Sequence, residues 1–247
     1  MSADDTLLRV SGLDAAVEGF QVTQNVDFEV QESSAVGYVG RNGAGKTTTF
    51  RSVMGLAEVL SGSIQFRGEE LTDLRPEQIP QRGIGYQPED RKLFTGMTID
   101  ENFRMPIWTL GKKRGIEDED AAVEDVYDIF EELGDRREAK VENLSGGQAK
   151  MVSIGRALAL KPDLLILDEP LEGLAPIIVE RLKEYIREIN DRGIAVLIAE
   201  SNVQHIPEIV DELYVIERGE IFDSGDPQEV SQRRAVQELM QGSGQEG

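Results

Sequence analysis

The chain has 247 residues, no cysteine, one histidine and a formal charge of −21 from 26 basic and 47 acidic side chains. These counts remove disulfides, thiolate metal centres and multi-histidine metal sites, and the acidic excess opposes nucleic acid and anionic lipid as partners. The length suffices for one large α/β domain, no apolar run approaches the ~18 residues of a membrane span, and the polar start Met1–Asp5 lacks the layout of a secretory signal, so a cytoplasmic protein is expected.

In chain order, Leu7–Val10 through Val26–Val30 alternates apolar and polar residues, the period of short antiparallel strands. Ala35–Val39 reads as a buried strand running into a glycine-rich loop, with a helix expected from about Lys46. Ser63–Phe66 is a further strand, closed by a turn at Arg67–Gly68. From Pro88 to about Ala157 the pattern becomes helical. Glu117–Asp120 reads as a solvated loop, and Asp120–Leu133 spaces Val123, Val126, Tyr127, Phe130 and Leu133 along one helix face. Strand signals return at Leu164–Leu167, Ala195–Ala199 and Leu213–Ile216, with a helix over Val179–Ile189. This alternation predicts a mainly parallel sheet covered by helices.

Gly40-Arg41-Asn42-Gly43-Ala44-Gly45-Lys46-Thr47 fits the phosphate-loop pattern G-x-x-x-x-G-K-[ST] and lies between a predicted strand and a predicted helix, with Thr48 next. Glycines let the backbone close around phosphates, so that successive N–H groups and the positive helix end face the anion. Lys46 would reach the β and γ phosphates of ATP, and Thr47 would offer a hydroxyl to Mg²⁺. In Leu164-Leu165-Ile166-Leu167-Asp168-Glu169, four apolar residues make a buried strand that delivers two carboxylates. Asp168 suits a Mg²⁺ ligand, and Glu169 suits the catalytic group that orients the attacking water. An acidic strand end is common in α/β proteins, and it is the pairing with the phosphate loop that gives this one weight. The expected fold is thus α/β, a P-loop NTPase core over residues 1–240 with a mainly parallel sheet. An N-terminal antiparallel β subdomain, a helical subdomain inserted at about 89–157 and a flexible tail at 241–247 complete it.

Leu144-Ser145-Gly146-Gly147-Gln148 opens a further helix, with Ser145 a natural N-cap. Its position between the phosphate loop and the Asp-Glu strand resembles the signature of ABC transporter ATPases, and the resemblance covers nearly the whole chain. It implies a head-to-tail dimer in which Ser145 and Gly147 meet the γ-phosphate held by a partner subunit. Gly83–Phe94, Thr98–Asn102 and Glu172–Val179 resemble in particular the importers for branched-chain amino acids, a pattern partly shared with urea importers. That branch implies a heterodimer with a second ATPase, membrane permease subunits and, indirectly, an extracytoplasmic solute-binding protein. The subunit would be cytoplasmic and held at the inner face of the membrane through the permeases.

Several positions depart from the family pattern. The Q-loop position aligns with Glu89, two residues after Gln87. The switch-histidine position aligns with Ser201, and His205, four residues on, reads as a helix-surface residue. An aromatic residue usually stacks on adenine near the N-terminus; Phe20 is the nearest ring, but alignment puts the place closer to Val17 or Glu18. Phe94, Phe103, Met105 and Trp108 fall where the family receives a permease helix, and for at least two of them core packing is the expected role. A soluble ABC ATPase without a transport role is the alternative. Such proteins usually carry twin cores or a long coiled coil, which this chain lacks. A non-hydrolysing regulatory subunit is suggested only by Ser201 and the altered adenine place. The acidity itself matches a halophilic cytoplasm, where molar salt shortens the Debye length to about 3 Å.

Overall fold

The computed structural model describes residues 6–241. In chain order these form β1 (Thr6–Val17), β2 (Phe20–Gln31), β3 (Ala35–Val39), α1 (Lys46–Val53), β4 (Glu58–Phe66), β5 (Glu69–Glu70) and β6 (Ile84–Gln87). Four helices follow: α2 (Ile99–Leu110), α3 (Glu119–Ile129), α4 (Glu131–Gly134) and α5 (Gly146–Leu158). The chain continues through β7 (Leu164–Asp168), α6 (Pro176–Asp191), β8 (Ala195–Glu200), β9 (Glu212–Glu217), β10 (Glu220–Gly225), α7 (Pro227–Gln232) and α8 (Arg234–Gln241).

The strands make two sheets. One is four-stranded and antiparallel, in the order β2-β1-β4-β5; the other is six-stranded, in the order β10-β9-β3-β8-β7-β6. In the second sheet every pairing is parallel except β10 with β9. Its inner strands are apolar at nearly every position because both faces are covered. Leu164 and Ile166 of β7 join a core made with the N-terminal sheet and α1, while Leu165 and Leu167 join a core made with the helices.

Local chemistry sets several boundaries. At Thr98 the hydroxyl accepts from the Glu101 N–H and the Glu101 carboxylate accepts from the Thr98 N–H, a reciprocal cap that starts α2. Buried Asn102 then accepts from Phe94 N–H at 3.1 Å and donates to Phe94 C=O at 3.1 Å, fixing the loop that precedes the helix. Ser145 and Gln148 make a second reciprocal cap at the head of α5.

Three expectations need correction. The helix expected over Asp120–Leu133 is two: the backbone leaves helical geometry at Phe130, with φ −108 and ψ 61. The fully buried Phe130 ring meets Tyr185 of α6 edge-on at 5.0 Å, and this tertiary contact outweighs helix continuity. All five expected apolar residues are nevertheless buried. Glu119 and Asp120 belong to the first turn of α3, capped by Asp118, and not to a loop. The first two strands run 12 residues each, with β-bulges between β1 and β2, and so extend well past the alternating segments. The expected tail lies outside the described residues except for Gln241, which closes α8.

Candidate functional site

The order β3-β8-β7-β6 puts four parallel strand ends side by side, the place where open α/β sheets bind ligands. From β3 emerges Gly40–Thr47, from β8 Ser201, from β7 Asp168 and Glu169, and from β6 Gln87 and Glu89. A side chain on Gly40 would lie 2.4 Å from the Ile216 carbonyl oxygen, so only glycine lets the loop leave the sheet here. Gly43 and Gly45 take φ of 82 and 114, which favour residues without a Cβ. No side chain caps α1, and its first N–H groups are left for a ligand. Val22, Gly43, Lys46, Thr47, Glu89 and Glu169 are among the residues lining a cavity of about 310 Å³ at this point.

Lys46 is buried. Its ammonium donates to the carbonyls of Gly40 at 2.7 Å and Arg41 at 3.2 Å and to Ser201 Oγ at 3.0 Å. It also pairs with Glu169 Oε1 at 3.0 Å. Ser201 Oγ lies 2.6 Å from Asn42 Oδ1 and 2.6 Å from Glu169 Oε1, so its single proton serves one of them at a time. The other carboxylate oxygen of Glu169 is buried without a partner. Glu169 has φ 51, a left-handed conformation that costs a non-glycine residue about 1–3 kcal/mol and clusters at functional sites.

Asp168 is fully buried at the end of β7. Thr47 Oγ1 donates to its Oδ1 at 3.2 Å and Tyr86 Oη donates to its Oδ2 at 3.2 Å. Burial, only partly opposed by these bonds, pushes its carboxyl up to about 6.

The remaining positions separate. Glu89 is exposed at the mouth of the phosphate cavity, which also borders a groove of about 630 Å³ lined by Arg51, Leu56, Tyr86, Pro88 and Arg156. Gln87 is buried behind it, its Oε1 without a partner. Ser145 and Gly146 are exposed, Gly147 is buried against Ile178 of α6, and Gln148 is half-buried. None of these four lines the cavity holding Lys46. Phe20 is 77% exposed and Val22 lines that cavity, so the nearest ring is not in it.

His205 is not a helix-surface residue. It ends a short 3-10 turn over Val203–His205 and is half-buried. It lines a cavity of about 360 Å³ together with Glu169, Glu172, Glu200 and Ser201. Asn202 caps this turn, its side chain accepting from Gln204 N–H. Burial holds the His205 imidazole below its usual value. Of the four residues expected near a permease helix, Phe103 is fully buried and Met105 half-buried, while Phe94 and Trp108 are 42% and 56% exposed. Sequence reasoning passed over Tyr86, Lys150 and Glu200. Tyr86 lies within a quoted motif, but only the register of β6 with β7 reveals its partner.

A parallel sheet that gathers a phosphate loop, Asp168 and Glu169 at neighbouring strand ends defines a P-loop nucleotide-binding protein. Residues 23–172 match the ABC transporter family, and the chain belongs to that family as one of its ATP-binding subunits, an ATP hydrolase. It is 37% identical to BraG of Pseudomonas aeruginosa, a high-affinity branched-chain amino acid transport ATP-binding protein, over 81% of this chain and 84% of that one. It is 32% identical to LptB of Haemophilus influenzae, a lipopolysaccharide export system ATP-binding protein, over 96% and 98% of the two chains. In fold it matches MJ1267, an ATP-binding cassette of an ABC transporter in its ADP conformation, with TM-score 0.83 and 27% identity over 96% of this chain and 99% of that one. Among the described residues no helix is long and apolar enough to cross a membrane.

Proposed function

We propose that this subunit powers import of branched-chain amino acids or a similar polar solute, acting as one half of an ATPase pair under membrane permeases. The observation that carries the chemistry is the cluster of Lys46, Ser201 and Glu169 beside Thr47 and Asp168. BraG supports the import reading; LptB, at similar coverage, is the reason a test of the solute is needed.

Lys46 and the loop amides from Gly40 to Thr48 hold the phosphates. An incoming γ-phosphate competes with Glu169 for Lys46, and the freed carboxylate is then available to orient water. Ser201 stays within reach of both groups and holds them in register. A hydroxyl and a buried carboxylate are hard oxygen donors that suit Mg²⁺, and the raised Asp168 carboxyl is one whose ionised form a cation would favour. Thr47 and Asp168 would hold that ion, which neutralises phosphate charge when bound.

The exposed Ser145 and Gly146 head a capped helix and offer their surface to a second subunit's nucleotide. Glu89 and Arg156 line the groove and the Phe94 ring lies against Arg156, so a permease segment would dock there against the helical subdomain inserted at about 89–157, with Trp108 exposed on α2. On this reading the subunit sits at the inner face of the membrane. The charge of −21 supports a high-salt cytoplasm.

The test is affinity purification of tagged Glu169→Gln from native membranes in MgATP and high salt, with partners identified by mass spectrometry. Polytopic permeases, a second ATPase and a solute-binding protein for amino acids are the expected company. A lipopolysaccharide export complex, or soluble partners alone, would overturn the import reading.

A further inference from the structure

Two buried charged side chains outside the phosphate cavity hold the turn that carries Glu169. Lys150, 2% exposed, lies on α5 just past the Ser145–Gln148 cap. Its ammonium donates to the main-chain oxygen of Glu169 at 2.7 Å, and no carboxylate among the described residues pairs with it. Glu200, also 2% exposed, is the last residue of β8, next to Ser201. Its Oε1 accepts from the N–H of Leu171 at 2.8 Å. The Glu169 N–H in turn donates to the Ala199 carbonyl at 3.0 Å.

Burying an ammonium to satisfy one carbonyl, and a carboxyl to satisfy one amide, is a costly way to build a core that leucine or methionine could fill. Neither side chain lines the cavity of the phosphate loop. Both act on the main chain within a left-handed turn, where the direction of the Glu169 side chain depends on how the flanking peptides are held. We propose that Lys150 and Glu200 are positioning residues for ATP hydrolysis: they fix the peptides at Glu169 and Leu171, Lys150 from the signature helix and Glu200 from the strand that ends at Ser201. A shift of α5 is thereby passed to the catalytic carboxylate through one hydrogen bond. A shift of β8 is passed through another.

Two substitutions delete the bonds while keeping bulk, Lys150→Met and Glu200→Leu. A third, Glu200→Gln, keeps an acceptor for Leu171 but removes the charge. Steady-state phosphate release is measured on the full chain in MgATP, alongside the dissociation constant for a fluorescent ATP analogue. Lys150→Met and Glu200→Leu should each lower kcat at least tenfold while nucleotide affinity changes less than twofold, and Glu200→Gln should stay within about threefold of wild type in kcat. Unchanged kcat in the two deletions would overturn the proposal. So would Glu200→Gln falling as far as Glu200→Leu, or nucleotide affinity lost in step with activity, which is the mark of a merely structural role.

Discussion

Ser201 reaches Lys46, Asn42 and Glu169 through one oxygen. A hydroxyl carries no charge at any working pH, so this contact neither adds nor removes a positive charge beside the γ-phosphate. Ser201→Ala deletes it together with its bonds to Asn42 and Lys46. We expect kcat to fall about tenfold, about 1.4 kcal/mol in the barrier, with the KM for ATP little changed. A rate equal to wild type would take Ser201 out of the chemistry. Glu200 yields a prediction of a different kind. Burial pushes its carboxyl from an ordinary 4.5 up to about 7, with Glu169, Lys150 and Glu172 the charged groups that face it. The folded state therefore holds this proton more tightly than the unfolded chain. Its stabilising contribution is full below about pH 4.5, fades as pH rises, and is gone above about pH 7. Between about pH 5.5 and about pH 8, thermal melting of wild type should lose ground relative to Glu200→Gln; a gap between the two that does not change with pH would contradict this assignment. Residues such as Lys46 and Asp168 are legible in sequence because their roles sit within contiguous motifs. Lys150 and Glu200 are not, because each acts on a peptide far along the chain, 19 and 29 residues away.

The strands show the same divide. β3, β7 and β8 can be read almost to the residue, since strands covered on both faces are apolar at every position and end where a glycine loop or a carboxylate begins. β1 and β2 cannot. Their outer halves carry Asp14, Gln21 and Gln24 toward solvent, and their length comes from pairing in the sheet. The break at Phe130 is equally invisible locally, because the ring of Tyr185 that fixes it lies on another helix. Asn102 offers a direct test of what holds the loop between the phosphate site and α2. Asn102→Ala removes both side-chain bonds to Phe94 and leaves its N–H without a partner, while its carbonyl keeps the Met97 N–H, and should cost about 1–3 kcal/mol in chemical denaturation. A change below about 0.5 kcal/mol would show that the loop is held by other contacts. At Gly40 a methyl group would meet the Ile216 carbonyl oxygen at 2.4 Å, backbone that can move only with β9. Gly40→Ala should therefore weaken nucleotide binding and stability together, by about 1–3 kcal/mol in the latter, whereas a fully stable variant would mean that the sheet opens easily at this edge.

For the molecule as a whole, the site is an outcome of strand order. In sequence Thr47 of the phosphate loop lies 121 residues from Asp168, and Glu169 lies 32 residues from Ser201; parallel pairing of β3 with β8 and of β8 with β7 brings them within hydrogen-bond reach. The acidity is a property of the same scale. Most cations on the surface already pair with carboxylates, as Arg104 does with Asp100, Glu119 and Asp120, so the excess of −21 is left to repel itself unless salt screens it. The unfolding midpoint should therefore rise between about 0.1 M and about 2 M KCl, and a midpoint that does not move would remove the high-salt reading. The central claim is that this assembly of strand ends hydrolyses ATP through Glu169. The most direct measurement is phosphate release from MgATP by wild type and by Glu169→Gln, with nucleotide binding followed in parallel. Wild type should turn over while Glu169→Gln binds ATP equally well and falls by about 10²-fold or more; equal rates in the two would contradict the account.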